Sequence, residues 1–494
     1  MKVFLMYRNK NFNNKISFPW NSTDLINDFG LNNIFNAMAL GDKFLFDIAM
    51  KTILNYEYDV DTVLYRQAVL KDCINNESTV RNIYSIISDS IDLAKKRYFW
   101  YNNTSMELII DESIDVLNIF IDTMNKLRDI AGQSDKFNSN GFQSLFSIIK
   151  NEFTDEYLKI IKKHLDNLLF KNGVFISTAL GTGNEGINYM LHIDGKKYGL
   201  HDIVFNKHYT YILPERDIAG AEEIGNIKKR GILRTSDVMK EATKNVMNFF
   251  ESLKTELGFY IGSLNLYDKF KEKNYSICFP GIENKLSFSG LYDVSLSLVL
   301  NDKIITNDIH DNGDLYIITG TNSGGKSTFL RSLGEAWLMM QSGLFVGSNT
   351  FNADIRKGIF THFKREEDNE INIGKFDEEL KRMDDIIEHI KSNSVIFFNE
   401  SFSATNAREG SEIAGGIINA LIEKNIKIFI VTHMYELASK FLNDKNAVFL
   451  MAERKKDGGH TFRIIPGLPL KTSYGEDLYK KIFGESIENI TENN

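Results

Sequence analysis

Gly320-Thr321-Asn322-Ser323-Gly324-Gly325-Lys326-Ser327-Thr328 is the stretch on which the reading of this chain turns. A glycine, four residues, then Gly-Lys-Ser is a phosphate-binding pattern. Glycines let backbone N–H groups curl around phosphate oxygens, because they adopt angles closed to other residues. A lysine at position 326 reaches the β- and γ-phosphates of ATP as a point charge, and the Ser327 hydroxyl ligates Mg²⁺. The flanks agree. Asp314-Leu-Tyr-Ile-Ile-Thr-Gly320 is a short apolar run, the pattern of a buried strand. After the loop, Phe329, Leu330, Leu333, Trp337 and Met340 recur at helical spacing. The loop is therefore expected between a strand and a helix N-terminus, where the helix dipole also favours anions. A chance glycine turn explains neither flank.

Two more apolar runs end in chemistry. Val395-Ile-Phe-Phe398 is followed at once by Asn399-Glu400. At such a strand end, enzymes with this kind of loop place a metal-associated carboxylate and a water-polarising glutamate. The first position here is Asn399, which with Ser327 marks the metal side. Glu400 is the candidate general base. The alternative is a capping asparagine beside a surface glutamate, which the apolar run before them disfavours. Ile426-Lys-Ile-Phe-Ile-Val-Thr432 ends in His433. A histidine at that strand tip faces the γ-phosphate and the attacking water. Lys326, Glu400 and His433 are thus the candidate catalytic set.

The chain has 494 residues, more than one hydrophobic core usually serves, so two or three domains are expected. With 43% apolar and 25% charged residues it is ordinary globular material. Cys73 and Cys278 offer neither a disulfide framework nor metal spacing, which fits a reducing cytoplasm. The apolar run at the N-terminus is too short for a signal peptide, and no stretch is long enough to span a bilayer. A cytoplasmic protein without membrane contact is expected. The net charge of −8 gives nucleic-acid binding no global support, but a local basic patch is what counts. Lys228, Lys229 and Arg230 with Arg234 form one candidate patch, and Lys95-Lys96-Arg97 another. Each also reads as a solvated face.

No proline falls between Pro19 and Pro214, consistent with long helices. Residues 78–97 and 106–130 have helical patterns. Thr154 reads as an N-cap for a helix with the stripe Tyr157, Ile160, Ile161, Leu165, Leu168 and Leu169. His164 falls on that stripe and reads as a packed core histidine. A β-rich stretch follows over about 174–213. Gly181-Thr-Gly183-Asn-Glu-Gly186 inside it matches a dinucleotide fingerprint, yet a strand pattern follows where that fingerprint needs a helix. It reads as a turn between strands. A long arm helix is expected over about 237–264, and from Leu291 strands and helices alternate as in a mostly parallel sheet.

Together these motifs resemble the MutS family of DNA mismatch-repair ATPases. Thr319-Gly-Thr-Asn-Ser-Gly-Gly-Lys-Ser-Thr-Phe-Leu-Arg331 is similar to its phosphate-loop segment. Asn399-Glu400 with the following Ser-Phe-Ser-Ala-Thr-Asn-Ala-Arg-Glu-Gly410 resembles its second nucleotide motif and D-loop. Val431-Thr-His433-Met-Tyr-Glu-Leu437 resembles its switch histidine, Gly374-Lys-Phe-Asp-Glu-Glu-Leu380 its signature segment, and Thr472-Ser-Tyr-Gly475 a short motif near the end of its ATPase domain. Upstream, Leu31-Asn-Asn-Ile-Phe-Asn and Asp61-Thr-Val-Leu-Tyr-Arg-Gln-Ala-Val-Leu70 resemble the start of its core domain. Among its members the chain looks most like short forms with core and ATPase domains only.

The resemblance implies an α/β P-loop ATPase domain of ABC type over 291–494. It implies a mainly α-helical core and lever region with a small β insertion over 1–290. It further implies a homodimer whose composite sites bind ATP and Mg²⁺. One protomer would supply Gly320 to Thr328, Asn399, Glu400 and His433, and the other Gly374 and Lys375. The implied function is ATP-driven, clamp-like binding of duplex or branched DNA in repair or recombination. The N-terminus lacks the Phe-x-Glu motif of mismatch readers, so direct mismatch reading is not expected. A rival expectation is an ATP-gated protein-interaction switch without DNA affinity. A small-molecule kinase would carry an arginine-rich lid after the loop. A chromosome-maintenance ATPase would need a Leu-Ser-Gly-Gly signature and longer arms.

Overall fold

The computed structural model describes residues 2–97, 106–132, 134–168, 175–182, 186–192, 218–300, 303–310, 313–365, 374–455 and 459–470. The chain opens with helices α1 (Ser22–Phe29), α2 (Leu31–Ala39), α3 (Lys43–Leu54), α4 (Val60–Asn75), α5 (Glu77–Arg97), α6 (Met106–Ala131), α7 (Asn140–Asn151) and α8 (Asp155–Leu168). Strands β1 (Phe175–Leu180) and β2 (Gly186–His192) precede the long helix α9 (Ile218–Lys273). Then come β3 (Gly281–Ile282), β4 (Ser287–Leu291), α10 (Val294–Val299), β5 (Asn307–Ile309), β6 (Leu315–Thr319) and α11 (Lys326–Gln341). The remainder is β7 (Thr350–Ala353), β8 (Ile359–Phe363), α12 (Lys375–His389), β9 (Val395–Asn399), α13 (Ala407–Glu423), β10 (Lys427–Val431), α14 (Tyr435–Lys440), β11 (Ala447–Arg454) and β12 (His460–Pro466). These form two compact units, 1–12 with 75–257, and 13–74 with 258–494.

Among its described residues the first unit is mainly helical, with one pair of strands. Helices α5 and α6 meet through Ser90 Oγ and Thr123 Oγ1, 2.6 Å apart. Phe120 stacks on Phe250 of α9 with ring centroids 4.4 Å apart. Glu256 of α9 is wholly buried and accepts the backbone N–H groups of Leu5 and Met6 at 3.0 Å and of Phe12 at 2.8 Å. Those bonds allow a carboxylate to sit in a core. The expected helices over 78–97 and 106–130 are α5 and α6, and the expected arm helix lies inside α9. Strands β1 and β2 pair antiparallel across the Gly181–Gly186 stretch. The part of the expected β-rich stretch beyond His192 lies outside the described residues.

His164 corrects the sequence reading. Thr154 does cap α8, its Oγ1 accepting from Tyr157 N at 3.2 Å. Yet the buried positions are Leu158 and Leu165, while Tyr157, Ile160 and His164 face solvent. The core-facing line is centred about 55° from the one the stripe suggested, and His164 stands on the wet side.

The second unit carries a six-stranded sheet in the order β12-β11-β6-β10-β9-β8. Five strands run parallel, and β12 is antiparallel to β11. Both faces are covered, so strands such as β10 are continuous apolar runs rather than alternating ones. Trp337 of α11 packs 5.7 Å from Phe429 and 6.1 Å from Phe397 on one face. On the other, Ile396 and Ile428 join Met383, Ile418 and Leu421 from α12 and α13. A second sheet, β3-β7-β4-β5, is mixed. Register aligns Val431 with both Ile318 and Asn399. The ends of β6, β9 and β10 therefore open on one edge. Among the described residues, no helix is long and apolar enough to cross a membrane.

Candidate active site

The Gly320–Gly325 loop leaves β6 and enters α11. Gly320 has φ 116° and Gly325 φ 91°, and Ser323 is also left-handed at 59°. Sterics add to the demand for glycine. A Cβ on Gly325 would stand 2.9 Å from the Phe462 carbonyl, and one on Gly324 2.7 Å from Ala452 Cβ. No side chain caps α11, so its first-turn N–H groups are left for a ligand. A cleft of about 200 Å³ lies against them, lined by Ser323, Gly324, Gly325, Lys326, Ser327, Thr328, Glu400 and Phe462.

Lys326 is 5% exposed and donates to the carbonyls of Thr321 at 2.6 Å and Gly320 at 3.2 Å. Burial pulls its pKa below the ordinary lysine value, and the Glu400 charge opposes the fall. Ser327 Oγ donates to Asn399 Oδ1 at 3.0 Å. Glu400 has φ 54°, strained for a glutamate, with its backbone N–H bonded to Val431 O at 2.9 Å. Its Oε1 lies 3.1 Å from His433 Nε2. A carboxylate only accepts, so Nε2 carries the proton. That hydrogen bond holds the Glu400 pKa below the usual range, against burial and with help from the Lys326 charge.

The chain thus gathers Lys326, Ser327, Thr328, Asn399, Glu400 and His433 at one edge of the sheet. Thr321 and Gly320 take part through their carbonyls, and Asn322 sits exposed on the loop. Gly374 and Lys375 open α12 and do not line this cleft. Lys228, Lys229, Arg230 and Arg234 fall within α9, but their side chains lie outside the described residues, as does Thr472–Gly475.

The matching family models fall on both parts of the chain. The MutS2 N-terminal domain matches residues 58–273, and MutS domain V matches 316–481. The chain belongs to the MutS family. An endonuclease MutS2 of Fusobacterium nucleatum is 27% identical over 282 residues, 55% of this chain and 35% of that one. An endonuclease MutS2 of Streptococcus pneumoniae is 23% identical over 415 residues, 77% of this chain and 51% of that one. A DNA mismatch repair protein MutS of Lactobacillus delbrueckii is 29% identical over 238 residues, 46% of this chain and 28% of that one. The chain therefore spans about 28% to 51% of the length of these relatives.

Sequence reasoning missed the β11–β12 hairpin, which closes on the loop of this MutS-family site. Ala452 and Phe462 set the glycine contacts, and His460 Nδ1 lies 3.4 Å from Thr321 Oγ1. Phe462 is 49% exposed at φ 61° and lines the cleft. No local pattern over 447–466 announces this, because the contact is made by chain folding back from more than a hundred residues away.

Proposed function

We propose that the chain is an ATP-dependent DNA-binding protein of its family. An ABC-type P-loop ATPase domain over about 291–494 would drive a helical core and lever region over 1–290. The observation that carries this reading is the convergence of the uncapped α11 N-terminus, Lys326, the Ser327–Asn399 pair and the Glu400–His433 pair on one cleft.

In this reading the loop N–H groups hold ATP phosphates, and Lys326 exchanges its carbonyl partners for phosphate oxygens. Ser327 and Asn399 offer two adjacent oxygen donors, the ligand type Mg²⁺ takes. Among the described residues no cluster of three His, Cys, Asp or Glu side chains offers a rival metal site. Bound there, Mg²⁺ would neutralise phosphate charge. Glu400, kept ionised by His433, accepts the proton of the attacking water. With a neutral Asn399 where a carboxylate is usual, hydrolysis is slow, as in a switch that dwells in its ATP-bound form.

A homodimer completes each site with Gly374 and Lys375 of the partner subunit. ATP binding then closes the dimer on duplex or branched DNA, with contacts chiefly to phosphates. The names of the relatives, an endonuclease and a mismatch-repair protein, support a DNA substrate in repair or recombination. One observation favours the second reading, an ATP-gated protein-interaction switch: the net charge of −8. The test is a binding panel at fixed salt with homoduplex, mismatched duplex, fork and four-way junction, with and without ATP. ATP-dependent retention of any of these DNAs is expected. ATP binding with no DNA retained at low salt leaves the second reading.

A further inference from the structure

We propose that His362 is a positioning residue for ATP hydrolysis, tying helix α12 to the turn that carries Glu400. The inference rests on the ATPase reading above. The turn is strained twice, at Glu400 with φ 54° and at Phe402 with φ 61°. Left-handed backbone is strained for such residues and persists only where neighbours over-determine it.

Val431 and His433 hold Glu400 itself, and one imidazole holds the two residues that follow it. His362, on β8, is wholly buried. Its ring stacks on Phe402 with centroids 5.2 Å apart and planes at 15°. Ser401, between the two strained residues, sets its Oγ 2.8 Å from His362 Nδ1 and 2.5 Å from the His362 carbonyl oxygen. On the far side, Nε2 donates to the Glu379 carbonyl of α12 at 3.0 Å. Burial pushes the imidazole pKa down to about 4, so the ring is neutral near pH 7. With the proton on Nε2, Nδ1 is an acceptor, and the Ser401 hydroxyl shares its one proton between Nδ1 and the carbonyl.

Helix α12 grips the same region twice more. Arg382 Nη1 donates to Phe363 O at 2.9 Å. The Glu379 carboxyl is raised by burial and opposed by the backbone N–H groups of Phe402 and Ala404. This helix opens at Gly374 and Lys375, the segment assigned above to the other nucleotide of the dimer. His362 therefore stands between that segment and the general base of its own protomer. A displacement of α12 reaches Glu400 through it.

The experiment measures equilibrium binding of a labelled ATP analogue and steady-state phosphate release on the full chain. His362→Phe keeps a ring on Phe402 and removes both hydrogen bonds. Ser401→Ala removes the hydroxyl alone. We expect kcat to fall about tenfold in the first and about threefold in the second, each hydrogen bond counting for roughly 0.7 kcal/mol in placing the base. ATP affinity should stay within about twofold of wild type, since neither residue touches the phosphate loop. A merely structural role would lower bound ATP and turnover together, in step with the folded fraction, and would overturn the proposal. If His362→Phe does not fold, Ser401→Ala decides alone. Wild-type kcat in the folded variants overturns the inference and leaves the ATPase reading standing. A wild-type chain that binds or hydrolyses no ATP overturns both.

Discussion

Lys326 and Lys427 stand at opposite ends of the same parallel strands, and their surroundings are alike in every respect that is usually taken to mark a functional lysine. Lys326 follows the C-terminal end of β6, and Lys427 opens β10 at the other edge. They are 5% and 4% exposed. Lys427 donates to the Gly313 carbonyl at 2.8 Å, much as Lys326 bonds Thr321. Burial lowers both pKa values, that of Lys427 to about 8. What separates them is the backbone around them. Near Lys427 the left-handed residues are Asn393 and Asn425, a residue type that tolerates the conformation. Around Lys326 they are Gly325, Ser323, Glu400 and Phe462, and they line a cleft. Arg356, Asp354 and the Tyr316 ring close over Lys427 instead. A buried lysine with a lowered pKa is therefore not by itself a site; strain and an open cleft beside it are the discriminating features.

The largest effect expected at the cleft end is on turnover. Glu400→Gln should keep ATP binding and lower phosphate release by roughly 10²–10⁴-fold, the usual worth of a positioned base. Normal hydrolysis by this variant would remove Glu400 from the mechanism. Next come the two lysines themselves. Lys326→Ala should weaken ATP binding about 100-fold, some 2.7 kcal/mol, with little change in unfolding free energy. Lys427→Ala should do the reverse. It leaves the Gly313 carbonyl without its donor and should cost about 1–3 kcal/mol of stability, with ATP affinity within about twofold of wild type. Denaturant unfolding and ATP titration on both variants check the pair. A folded Lys427→Ala protein that has lost ATP affinity would break the comparison.

A third test separates the roles of His433 and Glu400 by pH. The His433 hydrogen bond holds the Glu400 pKa below the usual carboxylate value of 4.5. Glu400 works as a carboxylate, so activity falls as pH drops through its pKa. His433→Ala removes the bond, raises that pKa and moves the acidic limb of the kcat profile to higher pH. A limb that stays in place would mean that the bond does not act on the base.

The legible and illegible parts of this molecule differ in how far apart in the chain their contacts are made. The phosphate loop, Asn399-Glu400 and His433 were readable because each sits at the end of its own apolar strand. Parallel pairing then brings such ends to one edge without further information. Helix α9 begins at Ile218, well before the expected start near 237, since its first turns carry no continuous apolar stripe. His164 falls on the wrong side because a stripe of six apolar residues does not say which of its two sides faces a partner. The Phe462–Gly325 and His362–Ser401 contacts join distant segments whose local patterns are ordinary. Backbone strain at Phe402 and Phe462 has no signature in residue type, since neither is glycine or asparagine.

Asn399 is where the cleft departs furthest from the pattern its neighbours set, and Asn399→Asp should have the smallest effect of the series. The amide oxygen already accepts from Ser327 at 3.0 Å, so the substitution keeps the geometry and adds one negative charge beside the two candidate Mg²⁺ donors. Asn399 is half-buried and Ser327 exposed, so water screens that charge heavily. An exposed ion pair is worth up to about 1 kcal/mol, which corresponds to a two- to fivefold lower Mg²⁺ concentration for half-maximal ATP binding. Turnover should not rise with it. The new carboxylate adjoins Glu400 and pushes that pKa upward, against the hold of His433. Tighter metal and a less readily ionised base then oppose each other in kcat while only the first moves the binding midpoint. A Mg²⁺ titration of labelled ATP-analogue binding to both proteins reads that midpoint directly. Identical midpoints would mean that Asn399 does not face the metal and that its bond to Ser327 serves only to orient the loop.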